Sequence, residues 1–401
     1  MRLDQEGLGH LTYCTNIHPG ETWEEVRANL GRHLPAIKQE VAPDRPFGVG
    51  LRLSAIAAQA LQAPAAMAEL RGLLAEHGLY LFTINGFPYG PFHGRRVKEQ
   101  VYQPDWQHEE RVVYTDLLAD LLSEILPDDP DLEGSISTVP GTFRPLAEAP
   151  GAIERIADNL IRHAAHLVRL RETSGRTIAL AIEPEPYCLL ETIEEAVDFF
   201  QHHLLRRAAL RRLSKLTGLG PGEAEVALRR HVGLCYDVCH AAVEFEDPKG
   251  SIERLVAAGI RVPKLQLSAA LRIPTVDRAI AAHLRPFDEP VYLHQVVERR
   301  GERLIRHLDL PQALANLDGA GGEAEWRVHF HVPIFLAELE HFSTTQGFLR
   351  EILELHRAAP ISAHLEVETY TFDVLPERYR RVDVTSAIAR ELAWVRKQLA
   401  A

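Results

Sequence analysis

The stretch TIALAIEPEPYCLLET, from Thr177 to Thr192, decides how the rest of the chain is read. Ile178 to Ile182 is an unbroken apolar, β-compatible run, the pattern of a parallel strand buried on both faces. Glu183 and Glu185 follow, separated by Pro184. They share a parity along an extended backbone and can point the same way. Proline cannot donate to a ladder, so the strand ends here. The next residues, ETIEEAVDFF from Glu191, have helical character. An apolar strand with an acid at its carboxyl end, followed by a helix, is how a (β/α) barrel presents a reactive group at its top face. Taken alone, the stretch also fits an exposed loop with two solvated glutamates.

Working outward, similar units recur. Strands are expected at His10–Cys14, Phe47–Leu53, Leu79–Ile84 and Gly134–Val139 before the quoted stretch. Val232–Tyr236, Pro263–Leu267 and His364–Tyr370 follow it. Helical patterns lie between them, over Glu21–Val41, Ser54–His77, Gln107–Leu126, Pro150–Glu172 and, at the end, Thr385–Leu399. About eight alternating units predict an α/β fold, a (β/α)8 TIM barrel, rather than an open doubly wound sheet. No Gly-x-Gly-x-x-Gly follows the first strand, which removes the usual support for a dinucleotide fold. Leu213–His231 reads as a surface excursion. An irregular insert at about residues 271–345, with β-like pieces at Val291–Val297 and Trp326–Phe335, interrupts a domain spanning residues 1–401. The loop Asn85–Gly94 is punctuated by glycine and proline yet carries Phe87, Tyr89 and Phe92, so it is expected to wall a binding pocket.

Composition narrows the function. The 401 residues are 46% hydrophobic and 25% charged, enough for a large core. The formal charge of −12, from 44 basic and 56 acidic side chains, opposes broad adhesion to nucleic acid or anionic lipid. No apolar run approaches a membrane span, and Met1 to Gln5 has no basic n-region, so a cytoplasmic protein without membrane insertion is expected. Four cysteines with no C-x-x-C pair are too few for a disulfide scaffold.

On a barrel, the strand ends bring Glu183, Asp237, His240, Gln266, Glu366 and Glu368 to one rim. Carboxylates crowded there raise one another's pKa unless a cation neutralises them, and a divalent metal ion is the economical resolution. Oxygen-rich ligation suits Mn²⁺, Mg²⁺ or Co²⁺, and recruitment of more histidines moves a site towards Zn²⁺. For each residue alone, a rim salt bridge or a satisfied core histidine is the competing reading. His329 and His331, at i and i+2, can put both rings on one side of an extended segment as substrate contacts or second-metal ligands. His93, Lys98 and Arg144 carry weaker signals.

Glu183-Pro-Glu-Pro186, Asp237-x-x-His240 and Glu368-Thr-Tyr370 resemble the strand-end motifs of xylose isomerase-like sugar phosphate isomerase/epimerase barrels, over nearly the whole chain in element order. More narrowly, Asn85-Gly-Phe-Pro-Tyr-Gly90, His329-Phe-His-Val-Pro333 and Glu366-Val-Glu-Thr-Tyr-Thr371 resemble the EboE group. That group is associated with metabolite traffic and a secondary-metabolite gene cluster. The resemblance implies Glu183, Asp237, Gln266 and Glu368 as metal ligands, with Glu183 and Glu368 doubling as catalytic acid/base residues. It also makes His240 a substrate-side or ligand histidine, and beside it Glu185, His93, His329, His331 and Glu366 are expected as substrate-binding or supporting residues. The chain departs from the pattern at Gln266, where a histidine ligand is common, and in the long insert.

The expected activity is that of a metal-dependent isomerase or epimerase on a small, sugar-like hydroxylated carbonyl compound. Two other classes stay open: a non-catalytic metabolite carrier on the same scaffold, and a metal-dependent phosphodiesterase or apurinic endonuclease-like hydrolase. The hydrolase would want more histidine ligands and a basic groove. Homo-oligomer formation is left open.

Overall fold

The computed structural model describes residues 1–3, 7–317, 324–377, 380 and 382–400. Seven strands come first: β1 (His10–Tyr13), β2 (Phe47–Arg52), β3 (Leu79–Asn85), β4 (Gly134–Thr138), β5 (Ile178–Ile182), β6 (Val232–Asp237) and β7 (Lys264–Leu267). The insert contributes β8 (Leu271–Ile273), β9 (Val296–Arg300), β10 (Arg303–His307), β11 (Glu325–Val328), β12 (Glu338–Leu339) and β13 (Phe342–Thr344). The chain then returns to the barrel with β14 (His364–Val367). The sheet order is β1-β14-β7-β6-β5-β4-β3-β2, with every neighbouring pair parallel. The two end strands meet through a parallel bridge from Cys14 to Gly50, and Thr12 Oγ1 donates to Gly48 O at 2.7 Å. The expected eight-stranded barrel is the observed fold.

Gly50 is required by close approach: a Cβ there would lie 2.0 Å from Glu366 Oε1 and 2.7 Å from Tyr13 O. The strands are buried over nearly their whole length, as apolar runs between helical layers predict. Inside the barrel one ion pair replaces apolar packing. Lys264 Nζ donates to Glu366 Oε2 at 2.8 Å and to Ser137 Oγ at 3.3 Å, and both charged side chains are fully buried.

The structure redraws several boundaries. The Ser54–His77 region is two helices, Ala55–Ala60 and Pro64–Glu76, because Pro64 is seated at a first helical turn. The stretch read as a surface excursion lies largely in two helices, Arg207–Thr217 and Pro221–His231, separated where Gly218 adopts φ +81°. The last barrel strand stops at Val367, since residues Tyr370–Val374 form a 3₁₀ turn. The insert folds as a six-stranded antiparallel sheet, order β10-β9-β11-β8-β13-β12. Residues 318–323 of the predicted insert lie outside the described residues. Among the described residues no helix is long and apolar enough to cross a membrane.

The insert is tied across the barrel mouth. Val97 N and Lys98 N both donate to Val291 O, at 2.8 and 2.9 Å, and Val332 N donates to Ala269 O at 2.9 Å. The loop after β3 is held from beneath by the buried Arg111, which donates to Gly86 O and Phe87 O at 2.7 and 3.1 Å.

The buried pair gives a stability test. Lys264→Met leaves the Glu366 carboxylate without its cation and is expected to cost about 3–5 kcal/mol in chemical denaturation, whereas K264M/E366L recovers most of that loss. Equal losses in the single and double variants would contradict this account of the barrel interior.

Candidate active site at the carboxyl ends of the strands

Glu183 follows β5 directly, and its backbone N–H continues the ladder to Thr138 O at 3.0 Å. Asp237 is the last residue of β6 and also the N-cap of the short helix Val238–Val243, where its Oδ1 accepts from His240 N at 2.9 Å. This double role fixes the carboxylate, because Ser268 Oγ donates to the same oxygen at 2.8 Å. Glu368 lies one residue beyond β14. Glu183, Asp237 and Glu368 each present a carboxylate oxygen within 4.8 Å of the others, and all three residues are buried. The sequence-predicted carboxylates therefore meet at one point.

Gln266 lies among them in an unexpected orientation. Its Nε2 donates to Glu183 Oε1 at 3.1 Å, to Asp237 Oδ2 at 3.3 Å and to Glu368 Oε2, while its Oε1 accepts from Cys235 Sγ at 2.8 Å. The carbonyl that would ligate an ion faces away from the carboxylates. Glu368 is further oriented by Asn16 Nδ2 and Asn85 Nδ2, which donate to Oε1 at 2.7 and 3.0 Å. Glu183 Oε2 is buried with no hydrogen-bond partner. Burial pushes the Glu183 acid well above its ordinary value, and the neighbouring charges of Glu368 and Asp237 push it further. Burial, then Asp237 and Glu366, raises Glu368 to about 8.

The predicted histidines divide. His240, His329 and His331 come together: His240 Nε2 lies 3.1 Å from His329 Nε2, which lies 3.3 Å from His331 Nε2. Burial lowers His331 to about 4 and holds His329 well below the usual imidazole range. His329 lines the cavity beside Glu185 and His240, and His331 lies with Asp237 and His240. His93 is not among the cavity-lining residues; it packs edge-on against Phe92 with ring centroids 5.1 Å apart. Lys98 is bound by Asp309 Oδ2 at 2.6 Å, and Arg144 by Glu195 and Glu191. Glu366 faces Lys264 in the barrel interior, one layer below the cluster. Glu185 does line the cavity, accepting from Tyr102 Oη at 2.7 Å, and burial raises its pKa.

Above the acids is a small cavity lined by Asn16, Asn85, Glu183, Glu185, His240, His329 and Glu368 together with aromatic rings. Phe87 and Phe92 come from the loop singled out in the sequence, Tyr292 from the insert and Tyr370 from the turn after β14. Phe92, Tyr292 and Tyr370 pack mutually, with centroids 5.0–5.3 Å apart. Asn16, Tyr102 and Gln295 were not anticipated as site residues, and Asn85 only as the first residue of the pocket-wall loop. The signal available for the two asparagines was the one used for the acids, a polar residue at or just past a strand end.

No protein-family model matches the chain, and no curated protein matches it. Solved structures do. A xylose isomerase-like TIM barrel protein from Mycobacterium smegmatis, solved in complex with magnesium, is similar over 100% of this chain and 98% of its own, with a TM-score of 0.51 and 11% identity. The fold is the xylose isomerase-like TIM barrel. Looser similarity extends to a 3-keto-D-glucoside 4-epimerase from E. coli, at TM-score 0.43 and 13% identity over 98% of this chain and 100% of that one. The IolI protein, solved with a zinc atom, has a TM-score of 0.46 and 12% identity over 97% of each chain.

Donor chemistry fits a divalent ion. Glu183, Asp237 and Glu368 form an all-oxygen set, and Asp237, His240 and His331 a mixed one, with Asp237 common to both. Two predictions follow from burial of these groups. Chelator-treated protein should gain thermal stability on addition of Zn²⁺ or Mn²⁺, about 2.7 kcal/mol at a hundredfold excess over Kd, and Asp237→Asn should lose that gain. The sign of the pH dependence is also fixed. An acid raised from 4.5 to about 8 on folding, as Glu368 is, destabilises the fold progressively as pH rises between those values. Lowered histidines act only below their ordinary 6.5. The melting temperature of metal-free protein should therefore fall from pH 6.5 to 8, and E368Q should flatten that slope.

Proposed function

We propose that the protein is a metal-dependent isomerase or epimerase of small hydroxylated carbonyl compounds, working as a cytoplasmic member of the EboE group in a secondary-metabolite pathway. The observation that carries this reading is the meeting of Glu183, Asp237 and Glu368 on the floor of an aromatic-walled cavity. A divalent ion anchored at Asp237 would supply polarisation of the substrate carbonyl and its neighbouring hydroxyl.

The chain's own groups carry the proton. Burial and neighbouring acids raise Glu183 well above the ordinary carboxylate range and Glu368 to about 8, so each carboxyl group is a stronger proton acceptor than a solvated glutamate. Glu183 has an uncommitted oxygen, whereas Glu368 is oriented by three amides, from Asn16, Asn85 and Gln266. One of the pair removes the proton α to the carbonyl. The other returns a proton to the adjacent carbon in an isomerisation, or to the opposite face of the same carbon in an epimerisation. Phe87, Phe92, Tyr292 and Tyr370 exclude bulk water and present flat apolar faces to the carbon skeleton.

The hydrolase alternative gains histidines from the insert but no basic groove at the cavity. Lys98 is the only lysine or arginine among the described lining residues, and Asp309 already binds it. A carrier on the same barrel is separated by turnover. In D₂O, the metal-loaded protein should wash deuterium into the α-position of one member of a panel of ketoses, aldoses, inosose-like cyclitols and hydroxy acids. Glu183→Gln and Glu368→Gln should each slow that exchange by about two orders of magnitude or more at matched metal content. Binding of a panel member without exchange or isomerisation would replace the enzyme by the carrier.

A further inference from the structure

The charge balance of the cavity turns on one side chain of the insert. Among the described lining residues the carboxylates are Glu183, Glu185 and Glu368, and Lys98 is the one lysine or arginine. Lys98 is not free to meet a ligand. Its Nζ donates to Asp309 Oδ2 at 2.6 Å and to Glu289 O at 3.3 Å, and the side chain is only 9% exposed. The backbone is set for this contact. Lys98 adopts φ +42°, in the left-handed region that lysine seldom occupies, and its N–H is held there by Val291 O at 2.9 Å. Asp309 is fixed in turn, since its Oδ1 accepts from His294 N and Leu310 N, both at 3.0 Å.

Other donors near the cavity are committed as well. Arg52 bonds Glu21, Gly20 O and Gly90 O, Arg111 bonds Pro104 O, Gly86 O and Phe87 O, and neither is a lining residue. Barrels of this kind often hold a phosphate in the loops after their seventh and eighth strands. Here those strands are β7 and β14, and three backbone N–H groups beyond them are already bonded: Glu368 N to Leu267 O at 3.1 Å, Ala270 N to Thr345 Oγ1 at 2.8 Å and Phe372 N to Thr369 O at 3.2 Å. An anion brought into this space gives up its water and meets carboxylates where it needs a counter-charge.

We propose that Asp309 sets the charge selection of this site by holding Lys98 away from the ligand, and that the substrate is an uncharged, unphosphorylated polyhydroxy carbonyl compound with one apolar face. The substrate class rests on the reading of the site as one for hydroxylated carbonyl compounds, whereas the part played by Asp309 does not. Hydroxyl groups suit the floor, where carboxylate oxygens accept, and a C–H face suits the walls of Phe87, Phe92, Tyr292 and Tyr370. A phosphate ester or a hydroxy acid carries instead a charge that a released Lys98 would be needed to balance. Asp309→Asn releases it: the amide oxygen still accepts from His294 N and Leu310 N, but the carboxylate charge that binds the ammonium is gone.

The test varies charge at constant shape and reads binding rather than turnover. In calorimetric titrations of the intact chain at matched metal content, each ketose, aldose and cyclitol of the panel is paired with its monophosphate ester, and inorganic phosphate is titrated alone. At least one neutral compound should bind, and its monophosphate should bind more weakly by about tenfold or more. D309N should bring the two within about threefold by tightening the ester, leave the neutral compound within about threefold of its original affinity, and gain affinity for inorganic phosphate. K98M/D309N should lose both gains, which a merely structural effect of the aspartate substitution would not do. If D309N fails to fold, the pairs measured on the unmodified chain still decide. A monophosphate that binds as tightly as its neutral parent, or a panel in which no neutral member binds, would overturn the substrate class. A folded D309N with no gain for phosphate would overturn the part given to Asp309. Neutral binding with the expected selectivity but without deuterium exchange would uphold the charge selection and remove the isomerase instead.

Discussion

Burial of like charge at the mouth of the barrel is the constraint on which the rest of the structure depends. Ligand oxygens of Glu183, Asp237 and Glu368 all lie within 4.8 Å of one another, and two ionised carboxylates at that distance repel by roughly 3 kcal/mol at an effective dielectric near 20. Three such pairs approach the whole stability of an ordinary domain, roughly 5–15 kcal/mol. The sequence cannot keep these acids together and ionised without compensation. What surrounds them is that compensation: amides from Asn16, Asn85 and Gln266, and the hydroxyl of Ser268.

The same constraint explains the division of labour between barrel and insert. Parallel strands deliver acids to a common rim because each strand ends at the same level, but they leave that rim open to water. The insert closes it. It brings Tyr292 and His329 to the cavity wall, Gln295 to His329 and His331 to Asp237, and its backbone is joined to the loop after β3 at Val291. Lys98, a cation at the rim, is consumed in this closure through Asp309. The resulting cavity combines an acidic floor with aromatic walls, a surface for a small polar molecule with an apolar face rather than for a phosphate backbone.

Much of this was legible in the sequence, for physical reasons that can be named. Buried parallel strands must be continuously apolar, so Ile178–Ile182 and Val232–Tyr236 announced themselves, and an acid at the end of such a run has few places to go except the rim. Glu183, Asp237 and Glu368 were read on that ground. Other features depend on partners distant in the chain. Nothing local distinguishes Glu366 from Glu368, yet a one-layer difference in height sends Glu366 to Lys264 and Glu368 to the cavity. Gln266 was read as a carbonyl ligand, but which end of an amide faces the site is set by Cys235 and the three carboxylates, not by its own strand. The histidine group was only half visible: the i, i+2 spacing put His329 and His331 together, whereas their approach to His240 depends on how an antiparallel insert lies across the barrel.

The central claim is that the mouth of this barrel is a cation centre anchored by Asp237. Its most direct measurement is an anomalous difference map from crystals grown with a stoichiometric divalent ion, recorded on either side of that ion's absorption edge. The account predicts one dominant peak within coordination distance of an Asp237 carboxylate oxygen, about 2.0–2.2 Å for zinc. A dominant peak elsewhere in the chain, or ordered crystals with no peak beside Asp237 at full metal loading, would contradict it.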